Sequence, residues 1–374
     1  MSKIYKEIFS MGLMSGTSMD GINVSLVKTN GIQLNKYNLN KIKPYSKKTL
    51  NLLNKIISNL PNALNNNNLL SEASKLVTID HLKCIKVILK ETSIKPEVIG
   101  FHGQTIYHNP KKKISIQLGD PKLLSDLLNI NVVGNFRKQD IENGGEGAPI
   151  APIYHKQIME KLHLDLPCCF LNIGGVSNIS YWDGEKLIGF DCGPGNALMD
   201  IYMQQTFQVE YDNLGELASK GEVIKEILDV FLKDNYFKNR YPKSLDRLHF
   251  SYILNIINNN NYVPKNIMAT LSELTVQSII LALNNLPHKP KNIYIIGGGA
   301  LNLNLVNSIT NIFSNNVLNA NSLGLNGEMI EAELIAYLAV RKLYNFPSTF
   351  PETTGVLKPT CLGELFLNKK DDFI

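Results

Sequence analysis

Two glycine turns, each set between short apolar runs, constrain this chain more than any other feature. Ile8–Met14 and Ile22–Lys28 flank the segment Ser15–Gly21, and Cys168–Ile173 and Val176–Trp182 flank Gly174–Gly175. Each reads as two strands joined by a tight turn. A third segment, IIGGGALN, runs from a buried-looking strand, Ile293–Ile296, through Gly297–Gly299 into a helix starting near Leu303. Glycine lets backbone N–H groups approach an anion closely, and a strand–glycine–helix junction suits phosphate at a helix N-terminus. There is no GxxxxGK[ST] and no GxGxxG, which removes the Walker and Rossmann readings. No short-period repeat occurs, but a hairpin in each half hints at architectural duplication.

The chain of 374 residues has room for two domains, or three. With 44% hydrophobic and 19% charged residues it has a globular composition. The net charge, 38 − 33 = +5, gives no case for nucleic acid. No apolar run of membrane-spanning length and no signal-peptide core is seen, and the five cysteines form no CxxC pair. Reduced thiols in the cytoplasm are therefore expected, with no membrane partner. The histidines show no HExxH spacing, so a metal is expected to come only with a substrate. Helical periodicity covers Ser71–Leu89, much of 222–285 and Met329–Tyr344, and further strands are expected at Val98–Thr105, Ile114–Leu118 and Leu187–Asp191. The run ENGGEGAPIAP, Glu142–Pro152, marks a hinge. It divides an N-terminal lobe, 1–144, from a C-terminal lobe, 145–344, followed by an irregular tail, 345–374, for which packing back on the N-terminal lobe is one option.

Several polar residues have two readings. Asp191 ends a strand before CGPGN and is either a base at a cleft mouth or a cap of the following helix. Glu331 opens an apolar helix, as a solvated charge favoured by the dipole or as a site residue. His102, Gln104 and Thr105 lie at a strand end in FHGQT, and Arg137 and Asp140 follow in NFRKQD. The histidine is structural or a ligand contact. The arginine is a surface ion pair or the bidentate partner of a carboxylate. Cys192 has no local histidine to activate it as a nucleophile.

The segments GLMSGTSMDGIN, FHGQTIYHNP, IQLGDP, NFRKQDIENGGEGAPIAP, LNIGGVSNIS, GFDCGPGNALMD, IIGGGALN and TTGVLKPTCLGEL run from about residue 11 to 365. Together they resemble the anhydro-N-acetylmuramic acid kinases, within the actin, hexokinase and heat-shock-chaperone ATPase superfamily. The resemblance implies an α/β fold of two actin-like (ribonuclease H-like) domains with an interdomain nucleotide cleft. It implies an ATP-dependent kinase that opens the 1,6-anhydro ring of 1,6-anhydro-N-acetylmuramic acid with water and phosphorylates the 6-oxygen, in peptidoglycan recycling. Carried residue by residue, it makes Asp191 the catalytic base. Gly16, Thr17, Ser18, Met19, Asp20, Gly21, Ile22, Asn23, Gly174, Gly175, Gly297, Gly298 and Gly299 become ATP contacts, with Mg2+ on the phosphates. His102, Gln104, Thr105, Arg137, Asp140 and Glu331 become sugar contacts. The partners implied are an amino sugar and ATP, with the oligomeric state open and a homodimer one option. The chain departs from the family pattern at Asn135 for Asp, Glu146 for Gln and Phe101 for Ser. Two rivals stand beside this reading: a plain sugar kinase of the same fold, whose base would be Asp140, and a chaperone-like or filament ATPase.

Overall fold

The computed structural model describes residues 5–16, 19, 21–313 and 316–368, with 36–38 described by backbone alone. In chain order the main elements are β1 (Ile8–Ser15), β2 (Ile22–Thr29), β3 (Leu34–Lys43), α1 (Lys47–Ser58), α2 (Asn67–Glu91), β4 (Val98–Asn109), β5 (Ile114–Leu118), α3 (Pro121–Leu128), β6 (Asn131–Gly134), α4 (Lys138–Glu142) and α5 (Pro152–Lys161). They continue as β7 (Cys168–Ile173), β8 (Val176–Trp182), β9 (Leu187–Pro194), α6 (Ala197–Phe207), α7 (Lys225–Leu232), α8 (Tyr252–Asn258), α9 (Pro264–Asn284), β10 (Asn292–Ile296), α10 (Leu303–Phe313), β11 (Val317–Asn319), α11 (Ile330–Leu343) and β12 (Glu364–Phe366). The helix starts are written locally. Asn66 accepts from Leu69 N–H at α2, and Asp120 accepts from Leu123 N–H at α3, where Pro121 opens the helix.

The chain forms two compact units. Unit 1 is drawn from Met1–Gln157, Glu328–Pro351 and Gly355–Ile374, and unit 2 from Ile158–Gly327 and Glu352–Thr354. Each is built on one mixed sheet. In unit 1 the order is β12-β6-β4-β1-β2-β3, with β5 attached to β4. In unit 2 it is β11-β10-β7-β8-β9. The directions repeat. β1 is antiparallel to β2 and parallel to β4, β2 is antiparallel to β3, and β4 is parallel to β6. Likewise β7 is antiparallel to β8 and parallel to β10, β8 is antiparallel to β9, and β10 is parallel to β11. The same five-strand plan therefore occurs twice, and each plan begins with a glycine hairpin.

The expected boundary at Gly144 lies thirteen residues early, because the Gly-rich loop is tied into unit 1. Asp140 accepts from Gly147 N–H (2.7 Å), and Arg137 Nη1 donates to Gly147 O (2.8 Å). The helix α11, expected in the C-terminal lobe, belongs instead to unit 1. Every residue from Ala332 to Arg341 is buried, as in a helix surrounded by its own core. It lies so close to the sheet that a Cβ on Gly12 of β1 would fall 1.9 Å from Ala332 O, and one on Gly100 of β4 would fall 2.3 Å from Ile335 O. A contact made by backbone on backbone leaves no periodic signal in side chains. The tail is less irregular than expected, since β12 pairs antiparallel with β6.

Unit 2 packs α9 on its sheet, with α6, α7 and α10 against α9 and α8 against α7, around residues such as Leu171, Phe190, Phe231, Phe250 and Leu274. Among the described residues, α9 alone is long and apolar enough to cross a membrane, yet 72% of its apolar window is buried inside the protein. Its hydrophobicity is accounted for by the core.

Replacing Gly12 with Val forces α11 off the sheet. Overpacking of this kind is expected to destabilise the protein by about 3 kcal/mol or more, read as a lowered denaturation midpoint. An unchanged midpoint would contradict the described packing of α11 on β1.

Candidate active site

Three glycine segments of unit 2 meet at the carboxyl end of β7. The hairpin turn after Ile173 is closed by Gly174 N–H to Val176 O (3.3 Å). The CGPGN segment then lays its own backbone on that turn. Asn196 N–H donates to Gly174 O (2.7 Å), while Gly195 N–H and Ala197 N–H donate to Gly175 O (3.0 and 3.3 Å). Thr275 of α9 fixes the segment from behind by donating to Gly195 O (2.9 Å). The GGG segment packs on the same strand end. A Cβ on Gly297, whose φ is +81°, would meet Asn172 Oδ1 at 2.4 Å, and one on Gly299 would meet Ile173 Cγ2 at 2.3 Å.

These glycines have two different tasks. At Gly297, Gly299 and Gly195 the missing side chain is required by the protein's own packing. At Gly174 and Gly298 the nearest atoms to a Cβ stand 3.7 and 3.6 Å away, an ordinary contact, so the protein's own packing does not demand glycine there. Bare backbone of this kind suits close contact with a ligand.

Asp191 lies on β9, three residues before Pro194, which pairs with Val176 of the hairpin. The strand does not end at Asp191, because pairing with β8 continues past a bulge at Ser177/Asn178. The residue is buried to 6% exposure and does not cap α6. Instead its Oδ2 accepts from Leu245 N–H (2.8 Å), its N–H donates to Lys243 O (3.0 Å), and its carbonyl accepts from Tyr236 OH (2.6 Å). Burial pushes the neighbouring Cys192 thiol well above its ordinary range. The thiol therefore stays neutral, as a structural cysteine does.

In unit 1 the first glycine loop follows β1. Met19 has φ of 60° and donates its N–H to Gly16 O (3.1 Å), closing a tight turn. Thr17, Ser18 and Asp20 lie outside the described residues. Gly21 has Ile42 Cγ2 and Lys43 O within 3.3 Å of a Cβ, and Ile22 points into the core. Asn23 Nδ2 donates to Glu328 O (2.7 Å), which ties the start of β2 to the segment before α11.

FHGQT lies inside β4 rather than at a strand end, because β5 pairs with residues 104–109. Gln104 is fully buried. Its Nε2 donates to Gly16 O (3.0 Å) and Thr105 O (3.1 Å), and its Oε1 accepts from Tyr45 OH (3.2 Å). The structure thus gives it the task of holding the glycine loop. Tyr45, which no local sequence pattern singles out, also donates to Ser15 Oγ (2.7 Å) beneath that loop. Thr105 Oγ1 accepts from Gln117 Nε2 (3.3 Å).

His102 and Arg137 come together. Arg137 Nε donates to His102 Nε2 (3.1 Å), and a guanidinium can only donate, so the imidazole proton is on Nδ1, facing Gly103 O (3.1 Å). Burial and the adjacent guanidinium pull the His102 pKa down to about 3, so it stays neutral near pH 7. Asp140 is fully buried and holds Gly147 N–H, which shapes the GGEGAP loop beside Arg137.

Glu331 is half-buried in the first turn of α11. That helix runs antiparallel to β1, since Ser10 Oγ donates to Ala336 O (2.8 Å) while Gly12 meets Ala332 further along. Its first turn therefore lies at the sheet end that carries the glycine loop and His102. Glu333, two residues on, accepts from the buried Tyr154 OH (2.6 Å). Among the described residues no group of three or more His, Cys, Asp or Glu side chains gathers as a metal centre.

The doubled five-strand plan, with a glycine hairpin at the head of each sheet, is the two-domain α/β arrangement that the sequence motifs lead one to expect. The family profile of anhydro-N-acetylmuramic acid kinase matches residues 8–368. Among curated relatives, the anhydro-N-acetylmuramic acid kinase of Pelagibacter ubique (strain HTCC1062) is 36% identical over 379 residues, covering 98% of this chain and 100% of its own. That of Rhodopseudomonas palustris (strain ATCC BAA-98 / CGA009) is 35% identical over 364 residues, covering 95% and 98%. The chain belongs to the anhydro-N-acetylmuramic acid kinase family.

The two kinds of glycine give separable outcomes. Gly298→Val is expected to raise the KM for ATP about tenfold, or ~1.4 kcal/mol, while leaving the melting temperature nearly unchanged. Gly299→Val is expected to lower the melting temperature by strain against Ile173. Paired melting and ATP-titration curves check this; nucleotide affinity unaffected in Gly298→Val would remove Gly298 from the nucleotide site.

Proposed function

We propose that this chain is an ATP-dependent kinase acting on 1,6-anhydro-N-acetylmuramic acid. It adds water across the 1,6-anhydro bond and transfers the γ-phosphoryl group to the released 6-oxygen. The products are N-acetylmuramic acid 6-phosphate and ADP, and the role is recycling of peptidoglycan fragments. The observation that carries the reading is the placement of Asp191. A buried carboxylate is held by main-chain contacts on the strand that continues directly into the segment docked on the Gly174–Gly175 turn.

The atoms balance as follows. Water attacks the anomeric carbon and gives its proton to Asp191. The C1–O6 bond breaks, and its electron pair stays on the 6-oxygen. That oxygen forms a bond to the γ-phosphorus as the bond to ADP breaks. A glycosidase protonates its leaving oxygen with a carboxylic acid, whereas here the phosphoryl group takes the electron pair. One carboxylate thus serves where a glycosidase needs two.

The base, the second hairpin and the GGG segment belong to unit 2, and the first glycine loop and the residues assigned to the sugar belong to unit 1. Arg137 is assigned to the lactyl carboxylate, with His102 fixing its orientation through the Nε–Nε2 bond. Glu331 is assigned to the sugar, at the first turn of α11. Thr105 joins the same strip. Asp140 and Gln104 act one step removed, by shaping the loops that carry Gly147 and Gly16.

Mg2+ enters with the ATP phosphates as part of the substrate, where it neutralises charge on the transferring group. A cytoplasmic location agrees with ATP as donor and with five cysteines that form no disulfide. Small-molecule partners only, without nucleic acid or membrane, complete the reading.

Turnover in 18O-labelled water tests the reaction. The label is expected in the anomeric hydroxyl and not in the phosphate ester. A phosphorylated product with its internal ring intact would overturn the proposal in favour of a plain sugar kinase. Asp191→Asn is expected to lose about 10²–10⁴-fold in kcat while still binding both substrates, the usual worth of a general base. Asp140→Asn is expected to act mainly on the KM for the sugar, by loosening the loop at Gly147. The reverse pattern would move the base to Asp140.

A further inference from the structure

One buried charge has no part in the steps above. Lys243 lies on the segment after Pro242 and is only 7% exposed. Its Nζ donates to Tyr236 O (3.2 Å) and stands 4.2 Å from the centre of the Tyr236 ring. Among the described residues it makes no contact ion pair. A buried ammonium without a contact counter-charge is costly, so its charge must be balanced at longer range.

The same segment holds Asp191. Lys243 O accepts from Asp191 N–H, and Leu245 N–H donates to Asp191 Oδ2. Tyr236 joins the two residues, because its ring and carbonyl hold the ammonium while its hydroxyl donates to the Asp191 main-chain carbonyl. The ammonium is thereby held beside the backbone of Asp191. Burial lowers the Lys243 pKa, while Cys192 and Asp191 act to raise it. Cys192 is held neutral by its own burial, which leaves the Asp191 carboxylate as the neighbouring charge that favours the ammonium.

The other groups around this pair carry little competing charge. Asp234, on the same turn as Tyr236, is engaged with His249 (3.4 Å) and Tyr252 (3.2 Å). From β8, Asn178 lies opposite Asp191. From α9, Ser278 packs against Gly193. Arg247, further along the Lys243 segment, acts electrostatically on Asp200 of α6.

We infer that Lys243 is a positioning residue whose fixed ammonium holds Asp191 in the ionised form that accepts the proton from water. This rests on the reading of Asp191 as the base. A buried carboxylate tends to keep its proton, and a nearby cation opposes that tendency.

The test is the pH dependence of kcat/KM, from pH 5 to 9, for the full chain with MgATP and the anhydro sugar. Wild type, Lys243→Met, Lys243→Arg and Asp191→Asn are compared. In Lys243→Met the acid limb is expected to move up by about one pH unit, so that the loss is largest at low pH and narrows as pH rises. Lys243→Arg keeps the charge and is expected to keep the limb in place. A uniform loss at every pH, with the limb unmoved in Lys243→Met, overturns the inference and leaves Lys243 a packing residue. If the Met variant does not fold, wild type decides: an acid limb dependent on Asp191 and lying well above the ordinary carboxylate range of about 4 overturns it too. Near-normal turnover by Asp191→Asn would instead overturn the base assignment itself, which separates failure of that reading from failure of this one.

Discussion

The hydrogen bond from Asn196 N–H to Gly174 O, 2.7 Å long, is the contact on which the site in unit 2 depends. It joins segments that are 22 residues apart, the hairpin turn and the start of α6. Because β9 leads straight into that segment, the same contact fixes how far Asp191 stands from the hairpin. Gly195 has to be glycine for this docking to occur, since a Cβ there would lie 2.2 Å from Gly174 O. The GGG segment then closes on Ile173 from the other side. Three motifs far apart in the chain become one surface because each gives up side chains where the backbones meet.

This explains what was legible in the sequence. A glycine required for close backbone approach is visible as a residue type, so both hairpins and the GGG segment could be read directly. The strands around them could be read too, because their apolar runs are short and bounded by turns. The position of α11 could not. Its uniform burial is written in EAELIAYLAV, but nothing in that run says which sheet it covers; Gly12 and Gly100 decide it, more than two hundred residues away. Tyr45 and Lys243 were equally invisible, as single residues brought in by loops without a repeating pattern. His102 and Arg137 were found as separate candidates, and only the fold shows them bonded to each other.

Asn135 and Phe101, two positions where the resemblance leads one to expect another residue, have structural roles of their own. Asn135 has φ of 54°, a region that asparagine tolerates better than most residues, and its Nδ2 donates to Glu364 Oε2 (2.6 Å). Lys138 donates to the other oxygen of the same carboxylate (2.6 Å). An aspartate at 135 would set two negative charges against each other, so the carboxylate of the tail and the amide at 135 suit one another. Phe101 is buried against His81, with ring centres 4.9 Å apart, and covers Gly119, where a Cβ would lie 2.6 Å from the Phe101 ring. Its bulk belongs to the core of unit 1.

The way the chain is divided between units also orders its assembly in time. Apart from Glu352–Thr354, unit 2 is one continuous stretch that ends at Gly327, whereas unit 1 needs residues from both sides of it. A ribosome that has released residue 327 has delivered that whole stretch but has yet to deliver α11. Until that helix emerges, the glycine-lined face of β1 and β4 has no cover, and the sheet that came out first remains incomplete. Synthesis usually lets the earlier domain finish first. Here the unit that begins the chain is the one that must wait for its end.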